Sequence, residues 1–178
     1  MREPVRHDRV NGDIWSLTAG DYAAEFASVG ATLVRLTWRG EDLVVPVGDP
    51  ASPTAYPPAY SGKVLAPWPN RIRDGRYTWD GVEHETPISE PATGTALHGL
   101  VCWQEWRVVG SPSAARLVLA SDVYPRPGYP FRLGLTLTAD LDAYAGLSLT
   151  VTARNLGDAD APYGVAFHPY LRCGAGPV

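Results

Sequence analysis

Leu133-Gly134-Leu135-Thr136-Leu137-Thr138-Ala139-Asp140 and Leu147-Ser148-Leu149-Thr150-Val151-Thr152-Ala153-Arg154 alternate apolar and polar residues almost without a break. Successive side chains on a strand point to opposite faces, so each run carries one apolar face, and the short stretch between them, ending in Gly146, lets the second strand fold back on the first. The same period-2 pattern recurs towards the N-terminus. Ile14–Ala19 and Tyr22–Ala27 read as two strands around a tight Gly20-Asp21 turn. In Ala31–Trp38 the alternation assigns Thr32, Val34, Leu36 and Trp38 to the core and Leu33, Arg35 and Thr37 to the opposite face. Arg39–Asp42 reads as a turn and Leu43–Val47 as a strand that Pro46 confines to an edge or a strand end. Tyr77–Trp79 and Val82–Thr86 flank Asp80-Gly81, a pair suited to the positive φ angles of a type I′ turn, and His84 is expected on the solvated side of that hairpin. Trp103–Val109 and Ala115–Ser121 are expected to pair across Gly110–Ser113. Gly48–Pro58, with four prolines, reads as a long surface loop.

Composition agrees with this pattern. Among 178 residues there are 18 Gly, 17 Pro, 9 Tyr and 6 Trp but a single Met, a mixture that suits strands joined by many turns better than packed helices. No helical stripe longer than a turn or two occurs. The fold class expected is therefore all-β, an antiparallel β-sandwich, with residues 1–178 forming one domain. Hydrophobic residues make up 45%, enough for a sizeable core. Fifteen Lys and Arg against 19 Asp and Glu give a net charge of −4 without a basic tract, so nucleic acid is not an expected partner. Met1–Asn11 is charged rather than apolar and no run has the length of a spanning helix, which leaves a cytoplasmic location with no membrane partner as the expectation. Cys102 and Cys173 are too few for a disulfide framework and read as reduced thiols.

Three short stretches carry the chemistry. In Leu65-Ala66-Pro67-Trp68-Pro69-Asn70-Arg71-Ile72-Arg73-Asp74-Gly75-Arg76-Tyr77, two prolines and an aromatic stiffen the approach to Asn70-Arg71 and Gly75 permits the turn back, so that a guanidinium fork is presented from an immobilised loop. The others are Ala96-Leu97-His98-Gly99-Leu100 and Val165-Ala166-Phe167-His168-Pro169-Tyr170. A lone histidine at a strand margin is ordinarily a core or loop imidazole bonded to a carbonyl, and a lone Arg in a Pro-rich loop is ordinarily solvated.

Together and in this order, the three segments resemble the aldose 1-epimerase (galactose mutarotase) family, whose pattern is an Asn-Arg-Ile…Gly loop, a His-Gly and a His-Pro-Tyr. The resemblance runs from about Asn11 to the end of the chain. It implies a galactose mutarotase-like sandwich and interconversion of the α and β anomers of a hexose such as glucose or galactose. That reaction opens the ring: one group protonates the ring oxygen, another takes the proton of the anomeric hydroxyl, and no metal or cofactor is required. By this resemblance His168 is the general acid, His98 a second catalytic histidine that also orients the sugar, and Arg71 the contact to sugar hydroxyls, with Asn70 shaping the loop or adding a hydrogen bond. Histidine suits such work because its ordinary pKa lies near neutrality. Trp68 and Trp103 offer flat apolar area for a sugar ring, although most tryptophans in an all-β protein are core; Trp103 is retained as a candidate substrate-binding residue.

The family's base is a glutamate far beyond the His-Pro-Tyr segment, with a sugar-binding aspartate between. No Asp or Glu follows Asp160 in this chain. Glu83, Glu85, Glu90, Glu105, Asp122 and Asp140 read as turn or solvated residues and none is assigned the role. The expectation is accordingly that 1–178 is the N-terminal part of a longer epimerase domain, incomplete at its C-terminus, inactive alone and open along one sheet edge. The alternative is a non-catalytic carbohydrate-binding module or an inactive truncated relative. An epimerase of phosphorylated sugars would need further cations at the rim, for which Arg73 and Arg76 are the candidates.

Overall fold

The computed structural model describes residues 11–47 and 58–173. Two four-stranded antiparallel sheets hold most of the strand residues. The first contains β1 (Ile14–Ala19), β2 (Tyr22–Ala27), β3 (Thr32–Trp38) and β4 (Glu41–Asp42) in chain order. Three short antiparallel ribbons follow from β5 (Val64–Leu65), β6 (Arg71–Arg73), β7 (Arg76–Trp79), β8 (Val82–Glu85) and β9 (Thr95–Leu97): β6 pairs with β9, β7 with β8, and β5 with the late strand β14 (Ala166–Phe167). The second large sheet runs β10 (Arg107–Val108), β11 (Arg116–Val123), β12 (Leu133–Asp142) and β13 (Gly146–Asn155). Its β1- and β2-facing side packs on the first sheet through β11 and β12, which makes a sandwich.

The core is what the alternation required. On β12 the odd-numbered residues Leu133, Leu135, Leu137, Ala139 and Leu141 are buried while the intervening positions are only half covered. They meet Leu117 and Leu119 from β11 and Leu17, Ala24 and Phe26 from β1 and β2, with Trp106 and Tyr129 fully enclosed at the margin. β13 pairs along the whole of β12, Leu137 opposite Val151. Beyond β13 no further strand lies among the described residues, and its burial fades from Gly146 to Asn155. β13 is thus an edge strand of its sheet among the described residues. No helix of the described residues is long and apolar enough to cross a membrane.

Several local readings need correction. On β3 the register slips between Glu25 and Phe26 of its partner, so that Leu33 and Leu36 both reach the main core whereas Val34 joins a smaller cluster with Ala27 and Val47. A bulge breaks strict alternation. Beyond it Thr37 is buried and Trp38, expected in the core, is 40% exposed beneath the Arg39 guanidinium. Leu43–Val47 is not a regular strand; only Val44 makes a bridge, to Leu171, and strand geometry sits earlier, at Glu41–Asp42. Trp103–Val109 contributes only Arg107–Val108 to the sheet, because Trp106 turns fully inward. The Asp80-Gly81 hairpin forms with both residues at positive φ, but His84 is half-buried, stacked on Tyr77 at 5.0 Å and against Phe131 at 5.7 Å. Gly48–Pro58 lies, except for Pro58, outside the described residues.

Because Leu137 sits at the centre of the enclosed face of β12, Leu137→Ala should lower stability by about 2–5 kcal/mol. Urea denaturation followed by tryptophan fluorescence measures this, and an unchanged midpoint would mean that the two sheets do not share this core.

Candidate functional site

The stretch Leu65–Asn70 is fixed before any side chain is considered. Its Ala66 carbonyl accepts from the backbone N–H groups of Leu100, at 2.7 Å, and Val101, at 3.2 Å, while Gly164 donates to the Pro67 carbonyl. The Ala66–Pro67 peptide is cis. Ala66 and Gly99 lie side by side as a parallel bridge, so close that a Cβ on Gly99 would stand 2.2 Å from the Ala66 oxygen. Only glycine fits there at its φ of 74°. The His-Gly pair is therefore a packing requirement as well as a chemical signal.

Asn70 and His98 clasp each other. The backbone N–H of His98 donates to the Asn70 carbonyl at 2.9 Å, and the backbone N–H of Asn70 donates to Nδ1 of His98 at 3.0 Å. Both residues occupy the left-handed region, with φ of 61° and 62°. A nitrogen that accepts carries no proton, so neutral His98 bears its hydrogen on Nε2 and offers it as a donor. Burial, then the neighbouring His168 and Arg71, hold this imidazole below its ordinary pKa range.

His168 follows β14 and is held by its backbone: its N–H donates to the Lys63 carbonyl at 3.1 Å and its carbonyl accepts from Gly62 at 2.8 Å. The two imidazoles thus meet edge to face, ring centroids 5.2 Å apart. Tyr60 lies edge-on to His98 at 4.7 Å and Tyr170 beside His168 at 5.4 Å.

Arg71 completes one wall. Its Nε and Nη2 donate to the two carboxylate oxygens of Glu90 at 2.5 and 2.7 Å, and its Nη1 donates to Oδ1 of Asn70 at 3.4 Å. Glu90 also accepts from Thr95 at 3.0 Å and from the hydroxyl of Thr93. The Arg71 guanidinium first, then Thr93, lower its carboxyl to about 2, and the same pairing raises Arg71. Asn70 thus bonds both His98 and Arg71 within the loop.

Together Arg71, Asn70, His98 and His168 line an open cavity of about 460 Å³ with Tyr60, Glu90 and Tyr170. Trp103 is not on its wall: it stands behind Tyr60, centroids 5.5 Å apart, with the ammonium of Lys63 4.3 Å from its ring centroid. Trp68 packs partly buried against the core, 6.1 Å from Tyr129. Arg73 and Arg76 are likewise absent from the lining, and Arg76 pairs with Glu85. In the sequence Glu90 is one of the carboxylates that read as turn or solvated residues. Its one visible signal was the Glu-x-x-Thr-x-Thr spacing, which lets two hydroxyls turn onto one carboxylate.

The aldose 1-epimerase family profile matches residues 13–176. The uncharacterized protein YihR of Escherichia coli K12 is 42% identical over 163 residues, covering 92% of this chain and 51% of YihR. Galactose 1-epimerase from Lactobacillus acidophilus superposes with a TM-score of 0.78 at 20% identity, covering 96% of this chain and 52% of that one. The GalM/aldose epimerase homologue of C. elegans gives 0.77 at 20% identity, covering 92% and 51%. The likeness extends over nearly all of this chain, which spans about half the length of those relatives. With its antiparallel sheets matching galactose mutarotase-like structures and the profile covering most of its length, the chain belongs to the aldose 1-epimerase family.

Proposed function

We propose that this chain carries the acid side of an aldose 1-epimerase site, and that residues 1–178 are the N-terminal part of a longer single β-sandwich domain. The observation that supports this reading most is the convergence of two imidazoles, 5.2 Å apart, with a carboxylate-braced guanidinium on one open cavity. The substrate is a hexose, with no cofactor. Arg71 donates to sugar hydroxyls: its guanidinium is half exposed, and Glu90 fixes its plane without covering it. His98 donates from Nε2 to orient the ring. His168 gives a proton to the ring oxygen as the C1–O5 bond breaks, while a base removes the anomeric hydroxyl proton; reclosure of the aldehyde from its other face returns both protons.

Glu90 is the one carboxylate on the cavity wall among the described residues, and two Arg71 donors together with Thr93 and Thr95 already occupy it. A carboxyl held near 2 is a poor proton acceptor at neutral pH. On this reading the base comes from a segment outside the described residues. That same commitment of Glu90 favours a second reading for residues 1–178 in isolation, a carbohydrate-binding unit without turnover.

Arg71→Ala should weaken hexose binding about tenfold or more and leave the urea midpoint unchanged, because an exposed pair contributes little to stability. Glu90→Ala should weaken it less, by freeing the guanidinium to rotate. Calorimetric titration with glucose and galactose measures both, and wild-type affinity in Arg71→Ala would remove Arg71 from the site.

Polarimetry on freshly dissolved α-glucose should show no acceleration by the isolated chain beyond that of free imidazole, since a positioned base is worth about 10²–10⁴-fold. Robust turnover would mean that a base lies within 1–178.

The acid limb of binding follows from His98. Its folded pKa lies below its unfolded value of about 6.5, so the fold binds fewer protons than the unfolded chain; its contribution to stability is present above that value and lost as pH falls. Protonation must also break the bond from Asn70 to Nδ1. On the acid side, hexose affinity should therefore hold steady from pH 7 down past 6.5 and fall only at lower pH. An acid-limb binding midpoint between pH 6.5 and 7 in the same calorimetric series would contradict the assignment.

A further inference from the structure

Lys63 is fully buried, and among the described residues no carboxylate pairs with its ammonium. Burying an unpaired charge is expensive unless its hydrogens are used. Here two of them are: Nζ donates to the Thr32 hydroxyl at 3.2 Å and to the Val29 carbonyl at 3.3 Å. The third direction is closed by Trp103, whose ring centroid lies 4.3 Å away. Cations are attracted to an indole face, and more strongly where water is excluded. The cradle is shaped for this ammonium, because a Cβ on Gly30 would stand 2.9 Å from Nζ and 2.3 Å from the Cys102 carbonyl. From Trp103 the contacts run outward through Tyr60, whose ring lies 5.5 Å from the indole and 4.7 Å from the His98 ring.

We propose that Lys63 is a positioning residue: its buried ammonium holds the Trp103 indole, and through it Tyr60, as the wall that backs His98 in the sugar site. This rests on the function proposed above and adds to it a residue that touches no sugar. It also gives Trp103 a place, as the support of the wall rather than a stacking surface within the cavity.

The lysine's own chemistry makes the device pH-dependent. Burial lowers Lys63 to about 8. The titratable groups facing it keep their charge state there: burial pushes Cys102 up to about 11 and also raises Tyr60. Further out, His98 is held below its ordinary range and Glu90 at about 2. Lys63 is thus the group that loses charge as pH passes about 8. Between there and the unfolded value of about 10.4, the unfolded chain binds more protons than the folded one, so this residue favours the fold increasingly as pH rises. Its hold on the indole weakens over the same interval. A lysine that only filled space would leave the His98 ring unchanged over that interval.

The test is the indole N–H resonance of Trp103, identified by its loss in Trp103→Phe and followed by NMR in the 178-residue chain from pH 6.5 to 9.5 without sugar. In the wild type it should shift with a midpoint near 8, and the His98 ring signals should move with it. Lys63→Met should give a flat profile at the alkaline wild-type position, and Lys63→Arg, charged throughout, a flat profile at the acid position. A wild-type indole that does not titrate overturns the proposal even if neither variant folds. So does a Lys63→Met protein whose Trp103 and His98 signals match those of the wild type at pH 7. Because no sugar is present, this failure is separate from that of the proposed function, which is read by hexose binding.

Discussion

The two hydrogen bonds between Asn70 and His98 are the constraint on which the site depends. One passes from the His98 backbone to the Asn70 carbonyl and the other from the Asn70 backbone to Nδ1, so that one residue fixes both the path of the loop and the orientation of the imidazole. A histidine that must accept at Nδ1 has its tautomer decided by the backbone, and its donor aims wherever the loop aims it. The loop has little choice. Gly99 against Ala66 and the bonds from Leu100 and Val101 hold its base to the chain that follows His98. Both residues of the clasp sit in the left-handed region, a cost the surrounding bonds must offset.

The sandwich supplies the rigidity and the short ribbons supply the placement. β5 with β14 brings His168 to the edge of the cavity, and β6 with β9 brings Arg71 opposite Leu97, one residue from His98. Three pieces far apart in sequence are thus brought together by ribbons two or three residues long, anchored beside a core of Leu, Phe and Trp. Sites built on supported elements hold their geometry better than sites on free loops. The arrangement also separates tasks: Glu90 braces, Arg71 and His98 present donors, and His168 stands across from them with its backbone bound and its ring free to face the cavity.

Much of this was legible in the sequence, and unevenly. The hairpin of β12 and β13 was plain because its alternation runs unbroken, and the Asp80-Gly81 turn because that pair is chemically suited to positive φ. The path of β3 was not, since a bulge looks like any other residue until its partner strand is known. The short motifs pointed to His98, His168 and Arg71, which the fold brings to one cavity. Glu90 was missed because its role comes from tertiary contact with Arg71, nineteen residues away, and Trp103 was a candidate because its flat ring suits a sugar face, with nothing in the sequence to mark the lysine against it. Lys63 drew no notice in the sequence, since a lysine among Gly, Ser and Val resembles any strand-end charge until its burial is seen.

The central claim, that His98 and His168 face one sugar, is tested most directly by following the ring nitrogens of the histidines by NMR while hexose is added. The imidazole signals of His98 and His168 should move together along a single saturation curve while His84, sandwiched between Tyr77 and Phe131, stays still. If His98 and His168 remain unmoved at saturating sugar, or if His84 responds in their place, the cavity between them is not the sugar site.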